Sequence, residues 1–405
     1  MHQTNFIVRE PLLDPKQRVL GYELSWQQHD GRTPTDADLE NLVGFVAEHV
    51  NHEEHGWLLR DKILFLDAVP AMLSTDALFA LPPEHTVLTL DIRQLTDLDV
   101  RSAVQAVRAG GVGVAIRGAD LNLLGRNLSP YASYVEVRFT GADVASQART
   151  YAAAKHSAVR MVGRPVATWA DFDACAALGL DAFVGKLHLT PRPGAAPVKG
   201  MNPSQAVILQ LMQMVQNNED VPKLESVLKH DPALTYKLLR YINTAGFGAG
   251  REVQSLRQAI ALLGYAPLYR WLLLLLATAS SSGYSPVLME TAVVRGRLAE
   301  LLGQKHLPKS ESENLFVAGM FSLLDRLLGL PMDEVLESIQ LPDEVVKALK
   351  GRQGSYGPYL ALAEACELNS KLAASLAESL GLAPAEVNGA HLQALAWAQS
   401  VAVDA

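Results

Sequence analysis

Eight short runs rich in β-branched and aromatic residues fill the chain from Asn5 to about Leu189, and then they stop. They read NFIVR, VLGYELS, KILFLDA, TVLTLDI, GVGVAI, YVEVRF, AVRMVG and AFVGKLH. Between most of them lie amphipathic or alanine-rich stretches such as DADLENLVGFVAEHV and TGADVASQARTYAAAK. Strands that alternate with helices favour an α/β fold with a largely parallel sheet. Eight such strands predict a (β/α)8, TIM-like barrel, with its chemistry at the C-terminal strand ends.

The rhythm breaks at TPRPGAAPVKGMNPS, Thr190–Ser204, which reads as a linker stiffened by Pro191, Pro193 and Pro197. Beyond it the pattern is helical. Ile208, Leu211, Met212 and Val215 share one helical face. Asp231 is placed to cap a helix that starts at Pro232, and Ser255 and Gln258 stand at capping-box spacing before a stop at Gly264. The segment LYRWLLLLLATA is apolar nearly all round and belongs at the centre of a bundle. The expected division is a barrel over 1–192, a linker over 193–204 and an all-helical domain over 205–405. A chain of 405 residues that is 49% apolar can bury cores of this size.

Charge and composition narrow the function. The formal net charge is -8, with no basic footprint for nucleic acid. The longest apolar stretch, Trp271–Ala279, is far short of the roughly 20 residues a bilayer span needs. The start, MHQTNFIVREP, lacks the apolar run of a secretory signal. A soluble cytoplasmic protein that does not enter the membrane is expected. Cys175 and Cys366 stand far apart and at no metal-ligand spacing, which predicts reduced thiols.

The stretch GYELSW, Gly21–Trp26, resembles the opening of the EAL family of cyclic-dinucleotide phosphodiesterases, and the resemblance runs through essentially the whole N-terminal half. It implies a two-metal site in which Glu23 is the first ligand. Asp67 in LFLDA stands where the family has an Asn, and Asp91 in LDIR where it has a Glu. From there the pattern departs. The family's paired Asp becomes Arg117 and Gly118, and its Lys-x-Asp becomes Glu136-Val137-Arg138. Its AEGVE becomes GRPVA, leaving Gly163, Arg164 and Ala167, and Val184 replaces a Gln before Gly185. A guanidinium stays protonated and does not ligate a metal. The expectation is therefore a barrel with no metal, no cofactor and no catalytic residues.

Two arrangements remain open for the charged strand ends. Glu23, Asp91 and Glu136 pair with Arg117 and Arg138, or these groups splay into solvent at the rim. Arg117, Arg138, Arg164 and Lys186 also form a candidate set for nucleotide phosphates.

In the helical half, DPALTYKLLRYINTAGFG, SLRQAIALLG and FVAGMFSLLDRLL resemble the HDOD family, from about Ser204 to Glu367. That family is similar to metal-dependent HD phosphohydrolases without their ligands. Ser322 and Leu323 occupy the positions where His and Asp would be needed, and Leu has no ligating atom. The dipeptide His230-Asp231 is explained by helix capping. His49, His52 and His55, with Glu48, Glu53 and Glu54, read as a solvated helix end. Ser280, Ser281 and Ser282 form a loop with no base beside them, and Tyr265, Tyr269 and Trp271 read as core first and partner-binding rim second.

The reading is a bacterial EAL–HDOD signalling protein without enzymatic activity. It acts through unidentified protein partners, and its binding of cyclic di-GMP is doubtful. A metal-independent cyclic di-GMP receptor and a residual cyclic di-GMP phosphodiesterase stand as alternatives.

Overall fold

The computed structural model describes residues 5–27, 34–52, 56–118, 128–138, 159–190, 192, 203–244, 253, 255–278, 287–338, 341–368 and 370–401. Two compact units result. One comprises Met1–Pro193, Ser285–Val287 and Ala361–Gln399, and the other Gly194–Tyr284, Leu288–Leu360 and Ser400–Ala405.

In the first unit each of the eight β-rich runs forms a strand: β1 (Ile7–Leu13), β2 (Val19–Trp26), β3 (Ile63–Asp67), β4 (Thr86–Asp91), β5 (Gly113–Arg117), β6 (Tyr134–Arg138), β7 (Arg160–Arg164) and β8 (Ala182–Val184). They close into a barrel in the order β1-β8-β7-β6-β5-β4-β3-β2. Strands β2 to β8 run parallel, as expected, but β1 is antiparallel to both neighbours. The cause lies in DPKQR. A parallel crossover needs a dozen residues or more, whereas this turn is short enough only for a hairpin. Asp14 closes it by accepting from Lys16 N and Arg18 N, both at 2.8 Å, and Gln17 takes a positive φ of 63°.

Because side chains alternate along a strand, every second residue points into the barrel. Leu12, Phe65, Val87, Ala115, Tyr134, Val162, Ala182 and Val184 pack together there. Burying each large apolar side chain of this kind contributes about 1.5–3 kcal/mol. Two residues further along, the same inward face carries Asp67, Thr89, Arg117, Glu136 and Arg164, and beyond those Asp91, Arg138 and Lys186. The apolar layer is thus the floor on which the charged groups stand. Gly21 lets β2 and β3 approach, because a Cβ there would run into the Ile63 carbonyl.

A hairpin between β1 and β2 also means that no crossover helix covers their outer face. The last helix, Pro384–Val401, supplies that cover. Asn388 Oδ1 accepts from Ile7 N at 2.8 Å, and its Nδ2 donates to Asn5 O at 2.9 Å. Gln399 Nε2 donates to the Tyr22 hydroxyl at 3.1 Å, and Gln27 Nε2 donates to Ser370 O. Ala361–Gln399 therefore belong to the barrel unit, where the sequence division placed them in a helical domain running from 205 to 405. The expected linker, 193–204, lies almost wholly outside the described residues.

The second unit is helical throughout its described residues. Ile208, Leu211, Met212 and Val215 are buried together with Trp271, Leu272 and Leu276 of the apolar helix Tyr265–Thr278. Asp231 Oδ1 accepts from Leu234 N at 3.0 Å, and Ser255 caps the helix that ends before Gly264. Tyr265 and Tyr269 bond Glu219 O and Gln216 Nε2, at 2.8 and 2.9 Å. The helices Val287–Gly303 and Lys309–Phe321 cross at Gly296 and Gly319, where a Cβ on Gly319 would lie 2.5 Å from Gly296 Cα.

Candidate functional site

The C-terminal ends of β2 to β8 hold a compact array of opposite charges. Arg117, at the end of β5, is its hub. Its Nη2 and Nη1 lie 2.8 and 3.4 Å from the two Asp67 oxygens, and its Nε lies 3.0 Å from Glu136 Oε2. Glu136 takes a second guanidinium, Arg138 Nε, at 2.8 Å on Oε1, and Arg164 Nη1 comes within 4.0 Å of Oε2. Arg164 also pairs with Glu23. Three carboxyl groups and three guanidinium groups thus face one another across β2, β3, β5, β6 and β7.

Burial grades the array. Glu136 is 7% exposed, while Arg138 above it is 51% exposed. Desolvation would lower the Arg117 pKa, but the Asp67 and Glu136 carboxylates hold it above its ordinary value. Burial pushes the Glu23 carboxyl up to about 8; the Arg164 guanidinium opposes this, and Asp67 and Glu10 add to it. Burial lowers the Lys186 pKa, with Glu10 and Glu367 opposing.

Several sequence expectations meet a different partner here. Asp91 does not join the array. Its carboxylate takes Arg93 at 2.8 Å, two residues on, and this contact holds its pKa low. Asp67 fills the place Asp91 was expected to take beside Arg117, because β3 and β5 flank β4 and their inward ends meet across it. Gly118 adds no side chain at φ 68°, and Ala167 is exposed and outside the cluster. Glu10 was not anticipated. Its signal was its place two residues before the inward Leu12, opposite Glu23 in the β1–β2 register. Glu367 had no local signal, since it arrives from the far end of the chain.

A pair of divalent cations does not fit these groups as they stand. A bridging site needs carboxylates converging on open space, and here Arg117 and Arg164 occupy that space. Among the described residues no group of three or more His, Cys, Asp or Glu is placed to hold a metal ion.

In the second unit, Ser322 accepts from the buried Arg295 Nη1 at 2.7 Å and donates to Gly319 O at 2.6 Å. Leu323 is buried in the core. His230 is exposed, with Nδ1 2.6 Å from Ser226 O. His49 stacks on Phe45 at the end of its helix, whereas His52 falls in a two-residue strand pairing and not on that helix. His55, Glu53, Glu54 and Ser280–Ser282 lie outside the described residues.

Residues 201–335 match the HDOD domain family. With the eight-stranded barrel before it, the chain combines an EAL-like barrel with an HDOD domain. It is 28% identical over 373 residues to the cyclic di-GMP phosphodiesterase CdgJ of Vibrio cholerae, covering 90% of this chain and 85% of that one. It is 23% identical to YuxH of Bacillus subtilis, over 98% of both chains. Solved structures similar to it include the EAL domain of Mycobacterium smegmatis DcpA (17% identical, TM-score 0.36, 45% of this chain and 90% of that one). Another is Klebsiella pneumoniae BlrP1 in a manganese/cy-diGMP complex (19%, TM-score 0.36, 45% and 55%). The strand order, not these scores, carries the fold.

The name of CdgJ corrects two expectations. A relative aligned over nine-tenths of this chain is a cyclic di-GMP phosphodiesterase, so a protein without enzymatic activity is no longer the reading. The doubt about cyclic di-GMP as a ligand falls with it. Among the described residues no helix is long and apolar enough to cross a membrane.

Proposed function

We propose that this chain acts on cyclic di-GMP at the C-terminal mouth of its barrel, as a signalling phosphodiesterase. The observation that carries the reading is the similarity to CdgJ along 90% of the chain. The array at the mouth supports the ligand class. Arg117, Arg138 and Arg164 are partly exposed guanidinium groups suited to the non-bridging oxygens of a phosphodiester. Lys186 stands on the same inward face. Hydrolysis adds water across one P–O3′ bond and leaves a linear dinucleotide. Glu23, raised to about 8, is able to hold or release a proton near neutral pH. No step is derived through a metal, because the residues present do not fit one.

One observation favours a second reading, a metal-independent receptor that binds cyclic di-GMP. The carboxylates a cation would need are already neutralised by arginine. The HDOD domain then serves as a docking surface for a protein partner, and the cytoplasm is where both parts work.

Incubation of the full chain with cyclic di-GMP, followed by separation of the nucleotides, tests the reading. Appearance of the linear dinucleotide supports the phosphodiesterase. Saturable binding with no product supports the receptor. Neither binding nor turnover overturns both.

A further inference from the structure

We propose that Glu136 is the internal occupant of an anion site, its carboxylate holding the place that a phosphodiester group takes among Arg117, Arg138 and Arg164. The inference rests on the reading above for the identity of the diester, but the site itself stands on geometry.

Among the described residues, Glu136 is the one carboxylate of the mouth that reaches all three arginines, at 3.0, 2.8 and 4.0 Å. Two of them have another anchor. Arg117 is held at 2.8 Å by Asp67, and Arg164 by Glu23. They stay in position when Glu136 turns away or loses its charge. Arg138 has no second carboxylate partner among the described residues, and it is half exposed. It is the guanidinium an incoming anion meets first.

Charge counting points the same way. Where Glu23, Asp67 and Glu136 are all ionised, the three guanidinium groups are neutralised and the mouth has no net pull on a phosphate. Where Glu23 keeps its proton, one positive charge is already in excess and Glu136 is what an anion still competes with. Remove the charge of Glu136 and the pull of the three guanidinium groups on an anion strengthens. Binding is then an exchange of one anion for another on a fixed set of cations. This differs from capture through a bound cation in the sign of one substitution. Where a divalent ion bridges protein and phosphate, neutralising a carboxylate weakens binding. Where the carboxylate is the competitor, neutralising it tightens binding.

The experiment is a titration of full-length wild type, Glu136→Gln and Arg138→Gln. The probes are cyclic di-GMP and, separately, inorganic phosphate, each at low ionic strength with EDTA and then with Mg²⁺. The expected result for Glu136→Gln is about tenfold or greater tightening toward both probes, unchanged by EDTA. Arg138→Gln, on a half-exposed side chain, retains the fold and weakens both by several-fold. It keeps the test alive if Glu136→Gln does not fold.

Weaker or equal phosphate binding by Glu136→Gln overturns the proposal, as does indifference of Arg138→Gln or a requirement for Mg²⁺. Tightening toward phosphate with no affinity for cyclic di-GMP in any variant upholds the anion site and sinks the functional reading instead.

Discussion

The barrel mouth and the crossing of the helices Val287–Gly303 and Lys309–Phe321 invite comparison, because each holds arginine against polar partners in a different setting. At the mouth the guanidinium groups are 22%, 51% and 23% exposed, and their carboxylate partners stand on β2, β3 and β6. At the helix crossing Arg295 is 5% exposed, Ser322 is buried, and Gly296 and Gly319 bring the backbones together around them. The first arrangement is open to solutes and built from exchangeable ion pairs. The second is sealed by packing. An arginine held by polar partners thus has two settings, and exposure separates them. At the mouth it stays within reach of solutes; at the crossing it is part of a core.

That contrast is sharpened most by removing what supports each region. Truncation before Ala361 strips the outer cover from β1 and β2 and bares Tyr22, Ile7 and several apolar side chains. At about 1.5–3 kcal/mol for each, the barrel is expected to lose cooperative unfolding altogether, read by chemical denaturation. A fragment 1–192 that unfolds cooperatively at wild-type denaturant concentration would contradict the assignment of the last helix.

Arg117→Met leaves Asp67 and Glu136 without their shared partner. A loss of about 2–4 kcal/mol is expected in the same assay, less than a fully buried pair because the site is partly wet. Gly319→Ala forces a Cβ against Gly296 and is expected to cost about 1–3 kcal/mol. It should leave cyclic di-GMP affinity at the mouth unchanged, which separates the two regions functionally.

pH gives a subtler discrimination. Burial and the neighbouring Arg9 push the His391 imidazole down to about 3, with Glu367 and the Ile7 backbone opposing. A depressed folded pKa gives stability that is whole above the unfolded value near 6.5 and fades as pH falls toward 3. Thermal melts should show this acid sensitivity in wild type and a flatter profile in His391→Gln. Glu23 works in the opposite sense. Its pKa is raised, so the stability it gives is present below about 4.5 and is lost as pH rises through 8. The smallest effect is expected of Arg93→Ala. Its partner Asp91 sits outside the array, so neither stability nor ligand affinity should move measurably.

How much of this was legible in the sequence depends on the range of each interaction. The eight strands, their inward faces and the convergence of Glu23, Asp67, Arg117, Glu136 and Arg138 depend on a local period of two and on strand order, and both can be read from residues. The reversal of β1 was missed, although the five residues between β1 and β2 are too few for a crossover. The pairing pattern was only half accessible. Asp91 found Arg93 two residues away, a local contact that pre-empted the long-range one. Asn388 meets Ile7 across nearly the whole chain, and nothing in its own helix distinguishes it from helices of the other unit. The absence of activity inferred from missing ligands did not survive comparison with a relative named for that activity. Ligand identity is set by what the mouth attracts as well as by what it lacks.

The most direct test of the central claim, that guanidinium groups neutralise the mouth's carboxylates, is a calorimetric titration of the full chain with Mn²⁺ at neutral pH. Wild type is expected to take up no stoichiometric Mn²⁺, and Arg117→Met with Arg164→Met to gain uptake. Tight binding of two Mn²⁺ per wild-type chain, abolished by Glu23→Gln or Asp67→Asn, would contradict it.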